Sequence, residues 1–226
     1  MIMCRTFFYV NQINNCGRNM QYFLKNIAKK LVFGSILIYN YKVIRVKEEI
    51  YMVTLDKIYH ASYVLKDVVI PTPLVKATAI SDDCEVYLKP ENLQITGSFK
   101  VRGSGYKISQ LTEEEKKRGV IACSAGNHAQ GVALAATKYG IKSLICLPDG
   151  APISKVEATR KYGADICLVE GVYDDAYNKA LELKDEKGYT FIHPFNDEDV
   201  IAGQGTIGLE ILDQIPDVDV VIVPIG

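Results

Sequence analysis

The sequence predicts an α/β protein built on a parallel sheet, and three observations carry that prediction. Short apolar runs alternate with helical patterns across residues 120–192. Gly140, Gly163 and Gly188 follow three of those helical patterns, where a left-handed helix end is wanted. The apolar runs are continuous rather than alternating, as strands covered on both faces are. The predicted strands are 120–123, 143–147, 165–169 and 189–192, and the predicted helices between them are 127–139, 152–162 and 173–187. Ahead of this block, residues 54–68 place Ile58, Ala61, Val64, Leu65 and Val68 on one helix face. Pro71 and Pro73 stop that helix by forcing their predecessors into extended geometry. Residues 84–88 read as a short strand and 99–110 as a helix. Thr112 with Glu115 makes a capping-box start for a short charged helix that Gly119 ends. Behind the block, 197–215 forms a longer helix and 219–225 a continuous apolar strand.

Composition narrows the function. The 226 residues are 48% hydrophobic and 23% charged, with a formal net charge of −1. These values exclude a disordered or collagen-like chain, and they give no electrostatic reason to expect a nucleic-acid partner. The average hides two unlike segments. Residues 1–51 carry eight basic and two acidic side chains, which leaves 18 basic and 25 acidic ones in 52–226. The longest apolar run of the first segment, 31–39, is too short to span a bilayer; a basic targeting or membrane-surface segment is weighed below plain upstream sequence, and no membrane partner is expected. That segment reads as a basic N-terminal extension upstream of a domain that begins near Met52. Cys4, Cys16, Cys84, Cys123, Cys146 and Cys167 are dispersed, without C-x-x-C pairs or zinc spacing. They indicate a reducing, cytoplasmic setting with no structural disulfide and no metal.

Ligands of a parallel α/β sheet bind where strands lead into helices, and two such stretches stand out. Ser98-Phe99-Lys100 places a lysine at a helix start, where the positive end of the helix disfavours an ammonium and favours an amine nucleophile. Alone, that tripeptide fits a surface lysine on an amphipathic helix better. The second stretch, Ser124 to Gly131, offers backbone N–H groups with Ser124 and Asn127 as a cradle for an anion. It also fits a small-residue turn in which Ser124 or Asn127 merely caps the helix. Gly203-Gln204-Gly205-Thr206-Ile207-Gly208 matches a dinucleotide fingerprint in letters. It lies inside a helical pattern rather than after a strand, so a nicotinamide site is rejected. The small residues there are expected to let the helix approach the sheet. His60, His128 and His193 form no triad with Ser and Asp.

Taken jointly, Gly97-Ser98-Phe99-Lys100-Val101-Arg102-Gly103, Ser124-Ala125-Gly126-Asn127-His128-Ala129-Gln130-Gly131 and Ala202-Gly203-Gln204-Gly205-Thr206 with Glu210 resemble one family in order and spacing. It is the serine/threonine ammonia-lyases (threonine dehydratases), pyridoxal-phosphate enzymes of the tryptophan-synthase-β-like fold. The resemblance runs from about residue 54 to the last residue and leaves out 1–51. It implies a two-lobed molecule. Residues 52–103 and 194–226 would form a partial large, cofactor-binding domain, and 104–193 a small α/β domain.

The resemblance also implies a cofactor, pyridoxal 5′-phosphate, held by Lys100 as a Schiff base. Phe99 would pack on its ring, Asn127 would bond its 3′-oxygen, and Gly226 would open its phosphate loop. Ser124, Ala125, Gly126, Asn127 and His128 would bind the substrate carboxylate. Thr96, Gly97 and Gln130 match positions associated with a nucleoside-monophosphate effector. The implied reaction converts a small hydroxy amino acid, threonine or serine, to a keto acid and ammonia, with 2-oxobutanoate formed from threonine. Lys100 would remove the Cα proton. A homo-oligomer, dimer or tetramer, is implied for the full-length form. Ala125 stands where related serine racemases usually carry a serine, and Phe195 where they tend to carry an asparagine. Both favour elimination over racemisation.

One departure bears on activity. Family members continue from the Val-Pro-Ile-Gly strand into a glycine-rich loop that holds the cofactor phosphate, and Gly226 is all that this sequence shows of it. The expectation is an N-terminal fragment with an incomplete large domain. It would lack several hydrogen bonds worth roughly 1.5–3 kcal/mol each. A catalytically inactive remnant and a serine-racemase-like enzyme are the alternative readings.

Overall fold

Four apolar runs, each entered from a glycine-ended helix or turn, line up as one parallel sheet. The computed structural model describes residues 8–12, 53–80 and 85–223. Expectations that fall elsewhere, among them Cys4, Cys16, Cys84, Gly226 and most of 1–51, lie outside the described residues. The elements in chain order are β1 (Phe8–Gln12), α1 (Leu55–Val64), β2 (Val75–Lys76), β3 (Glu85–Lys89), α2 (Lys100–Ser109) and α3 (Glu113–Arg118). There follow β4 (Val120–Cys123), α4 (Asn127–Lys138), β5 (Ser143–Pro148), α5 (Ile153–Lys161), β6 (Asp165–Val169), α6 (Tyr173–Lys187), β7 (Thr190–Phe191), α7 (Glu198–Gln214) and β8 (Val220–Ile222). Two 3-10 turns, Leu65–Asp67 and Glu91–Leu93, supplement them.

The chain divides into two compact units. One comprises residues 52–70 and 93–209 and carries the parallel sheet, in the order β6-β5-β4-β7. Its strands alternate their side chains between two helical layers. Val120, Ala122, Ile145 and Leu147 face α4 with Ala129, Val132, Ala133 and Ala136. Ile121, Cys123 and Cys146 face α6 with Ala176, Ala180 and Leu183. Continuous apolar strands are therefore what the two-sided cover requires. Register aligns Cys123 with Cys146 and Cys146 with Cys167, so three thiols form a row beneath α6. The Thr112 capping box is present, with Glu115 N–H donating to the Thr112 hydroxyl and the Glu115 carboxylate accepting from Thr112 N–H. Gly140, Gly163 and Gly188 adopt φ of 67°, 92° and 71°, the helix ends that their positions predict.

The other unit comprises residues 1–51, 71–92 and 210–226, of which the described strands form a four-stranded sheet in the order β2-β3-β1-β8. A buried polar cluster braces its turns. Lys89 Nζ donates to Glu210 Oε2 and to Thr72 O, each at 2.5 Å, while the Thr72 hydroxyl donates to Glu91 Oε1 at 2.6 Å. The boundaries after Ile70, Asn92 and Leu209 group residues 93–103 and 194–209 with the parallel sheet. The family resemblance places its divisions at 103/104 and 193/194.

Several sequence expectations need correction. The apolar strand expected over 219–225 is described as Val220–Ile222, and it pairs antiparallel with β1 instead of joining a buried parallel sheet. Val221 stays 44% exposed. Nothing in 1–51 was expected to form an element, yet Phe8–Gln12 is a strand between β3 and β8. The helix expected over 54–68 ends as a helix at Val64 and continues as a 3-10 turn. The small residues of α7 meet a helix rather than the sheet. A Cβ on Gly203 would lie 2.4 Å from Arg102 O and 2.8 Å from Gly103 Cα. The two backbones touch there, and α2 crosses α7 at that point.

Candidate active site

The turn before α2 is built to present Lys100. The Gln94 amide bonds Ile70 in both directions, accepting from its N–H at 3.0 Å and donating to its carbonyl at 2.8 Å. Gly97 N–H then donates to Gln94 O at 2.7 Å, which closes a turn that Gly97 completes at φ 69°. Ser98 is buried, and its hydroxyl accepts from Lys100 N–H at 3.3 Å. Lys100 is thereby the first residue of α2, and its side chain is half-buried. Its Nζ lies 5.3 Å from the centroid of the Phe99 ring and donates to Pro194 O at 2.8 Å.

A second wall follows β4. Ser124 N–H continues the sheet pairing to Cys146 O at 3.2 Å, and the Ser124 hydroxyl accepts from Gly126 N–H at 3.1 Å. That hydroxyl organises the loop; it does not cap the helix. Gly126 occupies the cap position of α4, and no side chain caps that helix start. The first turn of α4 presents backbone N–H groups and the positive end of its dipole beside half-buried Ser124, Ala125, Gly126 and Asn127. A Cβ on Gly126 would meet nothing within 4 Å, so the space before the loop is open. Gly131 brings this helix onto Lys100, since a Cβ there would lie 3.0 Å from the Lys100 carbonyl carbon and 2.9 Å from Ser104 Oγ.

The His128 side chain turns inward from the loop. Its ring is buried, and Nε2 faces Ile192 O at 2.9 Å. A carbonyl only accepts, so Nε2 holds the proton and Nδ1 is left with its lone pair. Burial pushes the imidazole down to about 4, outweighing the bond to Ile192, and the nearby charges of Lys100 and His193 act in the same direction as burial. The side chain therefore does not face a ligand as a cation. The signal for this burial was in the sequence: His128 precedes Val132 by four residues and Ala135 by seven, the inward face of α4.

The third wall is the turn after β7, where the sequence marks Phe195 but gives no sign of the Pro194 carbonyl. His193 Nδ1 accepts from Asn196 N–H at 2.8 Å and Phe195 N–H at 3.3 Å, and burial lowers its pKa. Phe195 packs edge-on to the His193 ring, with centroids 4.7 Å apart. Asp197 caps α7 by accepting from Asp199 N–H at 2.9 Å and Val200 N–H at 3.1 Å, and it pairs with Lys107 at 2.8 Å. The key atom of this turn, the Pro194 carbonyl, is a backbone group and carries no residue-type signature.

The remaining candidates are placed as follows. Thr96 is buried with its hydroxyl donating to Ser98 O at 3.4 Å, Gly97 is exposed, and Gln130 is half-buried on α4. His60 sits on α1, its Nδ1 at 2.8 Å from the Tyr106 hydroxyl. Among the described residues no group of His, Cys, Asp and Glu is arranged to hold a metal ion, and no helix is long and apolar enough to cross a membrane. Lys100, Phe99 and the Ser124–Asn127 loop fit an aldehyde-bearing, anionic cofactor and an amino-acid carboxylate. An amine stands beside an aromatic face, and the loop at a neighbouring helix N-terminus leaves room at Gly126.

Comparison with known proteins gives the same picture. The family described as pyridoxal-phosphate dependent enzyme matches residues 65–226. An L-threonine ammonia-lyase of Thermotoga maritima is 54% identical over 177 residues, covering 77% of this chain and 44% of that protein. The solved structure of a processed threonine deaminase isoform from Solanum lycopersicum superposes with a TM-score of 0.66 at 40% identity, covering 73% of this chain and 50% of that one. Maize serine racemase gives a TM-score of 0.69 at 35% identity, covering 74% and 51%. The chain spans about half the length of these relatives.

Proposed function

The chain belongs to the pyridoxal-phosphate-dependent enzyme family, and from that premise we propose that it is part of an L-threonine ammonia-lyase, with L-serine as a second substrate. The products from threonine are 2-oxobutanoate and ammonia. The carrying observation is the Lys100 amine, fixed at a helix start beside the Phe99 ring and facing the Pro194 carbonyl. The relatives named for threonine deamination support this choice of substrate.

Lys100, Phe99 and Asn127 would hold the cofactor, with Gly226 as a first contact to its phosphate. When bound, the cofactor supplies an electron sink for charge that develops at the substrate Cα. The chain's own residues do the rest. First-turn N–H groups of α4, with the Ser124–Gly126 turn, bind the substrate carboxylate. The Lys100 amine takes the proton from Cα and holds it within reach of the leaving hydroxyl. Ala125 carries no titratable hydrogen and cannot return a proton to the other face of Cα, which favours elimination over racemisation. The His128 ring is buried with Nε2 on the Ile192 carbonyl, and no proton transfer is assigned to it. Thr96, Gly97 and Gln130 are proposed as part of a nucleoside-monophosphate site. A homo-oligomer in the cytoplasm is the proposed setting, in keeping with the free thiols of Cys123, Cys146 and Cys167.

Borohydride reduction of the protein with pyridoxal 5′-phosphate, followed by peptide mapping, is expected to label Lys100. Lys100→Ala is expected to lose that label and to lower keto-acid formation from L-threonine by at least about 10²–10⁴-fold, the contribution of a positioned proton-transfer group. Label on another lysine, or undiminished turnover by Lys100→Ala, overturns the reading. Conversion of L-serine to D-serine faster than to keto acid would favour the racemase alternative.

A further inference from the structure

The carbonyl that Lys100 addresses lies at the end of a short series of anchors. Ile192 is fully buried, and its N–H donates to Ile121 O at 2.9 Å, which extends the pairing of β7 with β4. Its own carbonyl accepts from His128 Nε2 at 2.9 Å. Two residues later, Pro194 O accepts from Lys100 Nζ at 2.8 Å. Beyond that point the turn is closed by its own contacts, with His193 Nδ1 accepting from Asn196 and Phe195. The His128 bond is thus the last tie to another element before the Pro194 carbonyl. It is made from the second residue of α4, directly behind the Ser124–Asn127 loop.

We propose that His128 is a positioning residue: its Nε2–H, bonded to the Ile192 carbonyl, ties the N-terminal turn of α4 to the strand end that presents Pro194 to Lys100, and so sets the distance between the anion-binding loop and the reactive amine. The proposal deepens the ammonia-lyase reading and rests on it for the use to which that distance is put. The bond needs a proton on Nε2, because the Ile192 carbonyl can only accept. The charges that face the ring, Lys100 and His193, both oppose a second proton there. Gly131, three residues along the same helix, packs on the Lys100 backbone. The helix packing holds the body of α4 against α2, and the His128 side chain adds a tie from its first turn to the strand end.

A ring that only filled space would behave differently from a ring that ties, and two variants separate the cases. His128→Gln keeps an N–H donor at similar reach, whereas His128→Leu keeps apolar volume and has no donor. If His128 positions the loop, borohydride trapping of pyridoxal 5′-phosphate at Lys100 is retained in the Gln variant. It falls several-fold in the Leu variant, with label moving to other lysines. If the ring only fills space, the order reverses, and that result overturns the proposal. Nitrogen-15 imidazole spectra of the wild-type protein give a readout independent of catalysis and of any variant's folding. The expected result at pH 8 is an Nε2–H tautomer whose proton is hydrogen-bonded. An Nδ1–H tautomer overturns the proposal. Should the protein make no keto acid from threonine, the tautomer and the trapping pattern still report on His128, so the two readings fail separately.

Discussion

A histidine that refuses its proton stabilises the fold at neutral pH and weakens it in acid. Burial holds His128 near 4 in the folded chain, against about 6.5 when exposed. Between those values the unfolded chain binds a proton that the folded chain does not, so stability must fall as the pH drops from about 6.5 towards 4. The loss at the lower end is on the order of 3 kcal/mol. His193 is lowered in the same direction and adds to the slope. Urea unfolding at pH 7.5, 6 and 5 should show this acid limb in the wild type. It should be shallower in His128→Gln, which has no titrating group at that position, and equal slopes would refute the assignment. The residues also differ in how readable they were. Lys100 and the Ser124–Asn127 loop show in the sequence because their chemistry depends on residue type at a strand or helix end. The inward turn of the His128 ring was coded in helical phase, and reading it only as a motif member hid that. The Pro194 carbonyl had no code at all, since any residue supplies one.

At the scale of elements, α7 makes a test within a single helix. Gly203 sits where α7 crosses α2, and an added Cβ would fall 2.4 Å from the Arg102 carbonyl, a backbone atom that cannot rotate away. Gly208 is exposed on the same helix, with nothing within 4 Å of an added Cβ. Gly203→Ala should therefore destabilise by roughly 1–3 kcal/mol through overpacking. Gly208→Ala should stabilise by about 0.5–1 kcal/mol, because alanine is the better helix former. Opposite shifts of the denaturation midpoint are the expected outcome, and shifts of the same sign would show that the crossing is not tight. Elements whose partners are near in sequence were legible. Strands 120–123 and 165–169 and the helix 173–187 have the bounds expected, because apolar runs and glycine stops are local. Phe8–Gln12 was not legible. Its partners are Glu85–Lys89 and Val220–Ile222, and the choice between parallel and antiparallel pairing across such distances is made by tertiary contacts rather than by any five-residue pattern.

Over the whole molecule, the parallel-sheet unit holds every described residue of the proposed site. Lys100, the Ser124–His128 loop and the 192–197 turn all belong to residues 93–209. Its sheet also carries a built-in reporter of opening. Cys123 and Cys146 lie under α6 at 1% and 0% exposure, and burial pushes their thiols up to about 11 and about 12. Burial disfavours the thiolate of both in place, and the thiolate is the species that alkylates. Cys167, half-buried on the edge strand β6, is the one member of the row near solvent. Within this row of three, iodoacetamide at pH 7.5 should therefore label Cys167 first, as read by peptide mapping. Cys123 and Cys146 should follow much later, and at rates within about twofold of each other, because strands paired in register and covered by one helix open together. Moderate urea should accelerate both in parallel, following the equilibrium population of the open form. If Cys146 labels as fast as Cys167 in the native protein, or Cys123 separates from Cys146 by orders of magnitude, the sheet does not open as one unit. The loop that follows Cys123 would then be able to move independently of the strands behind it.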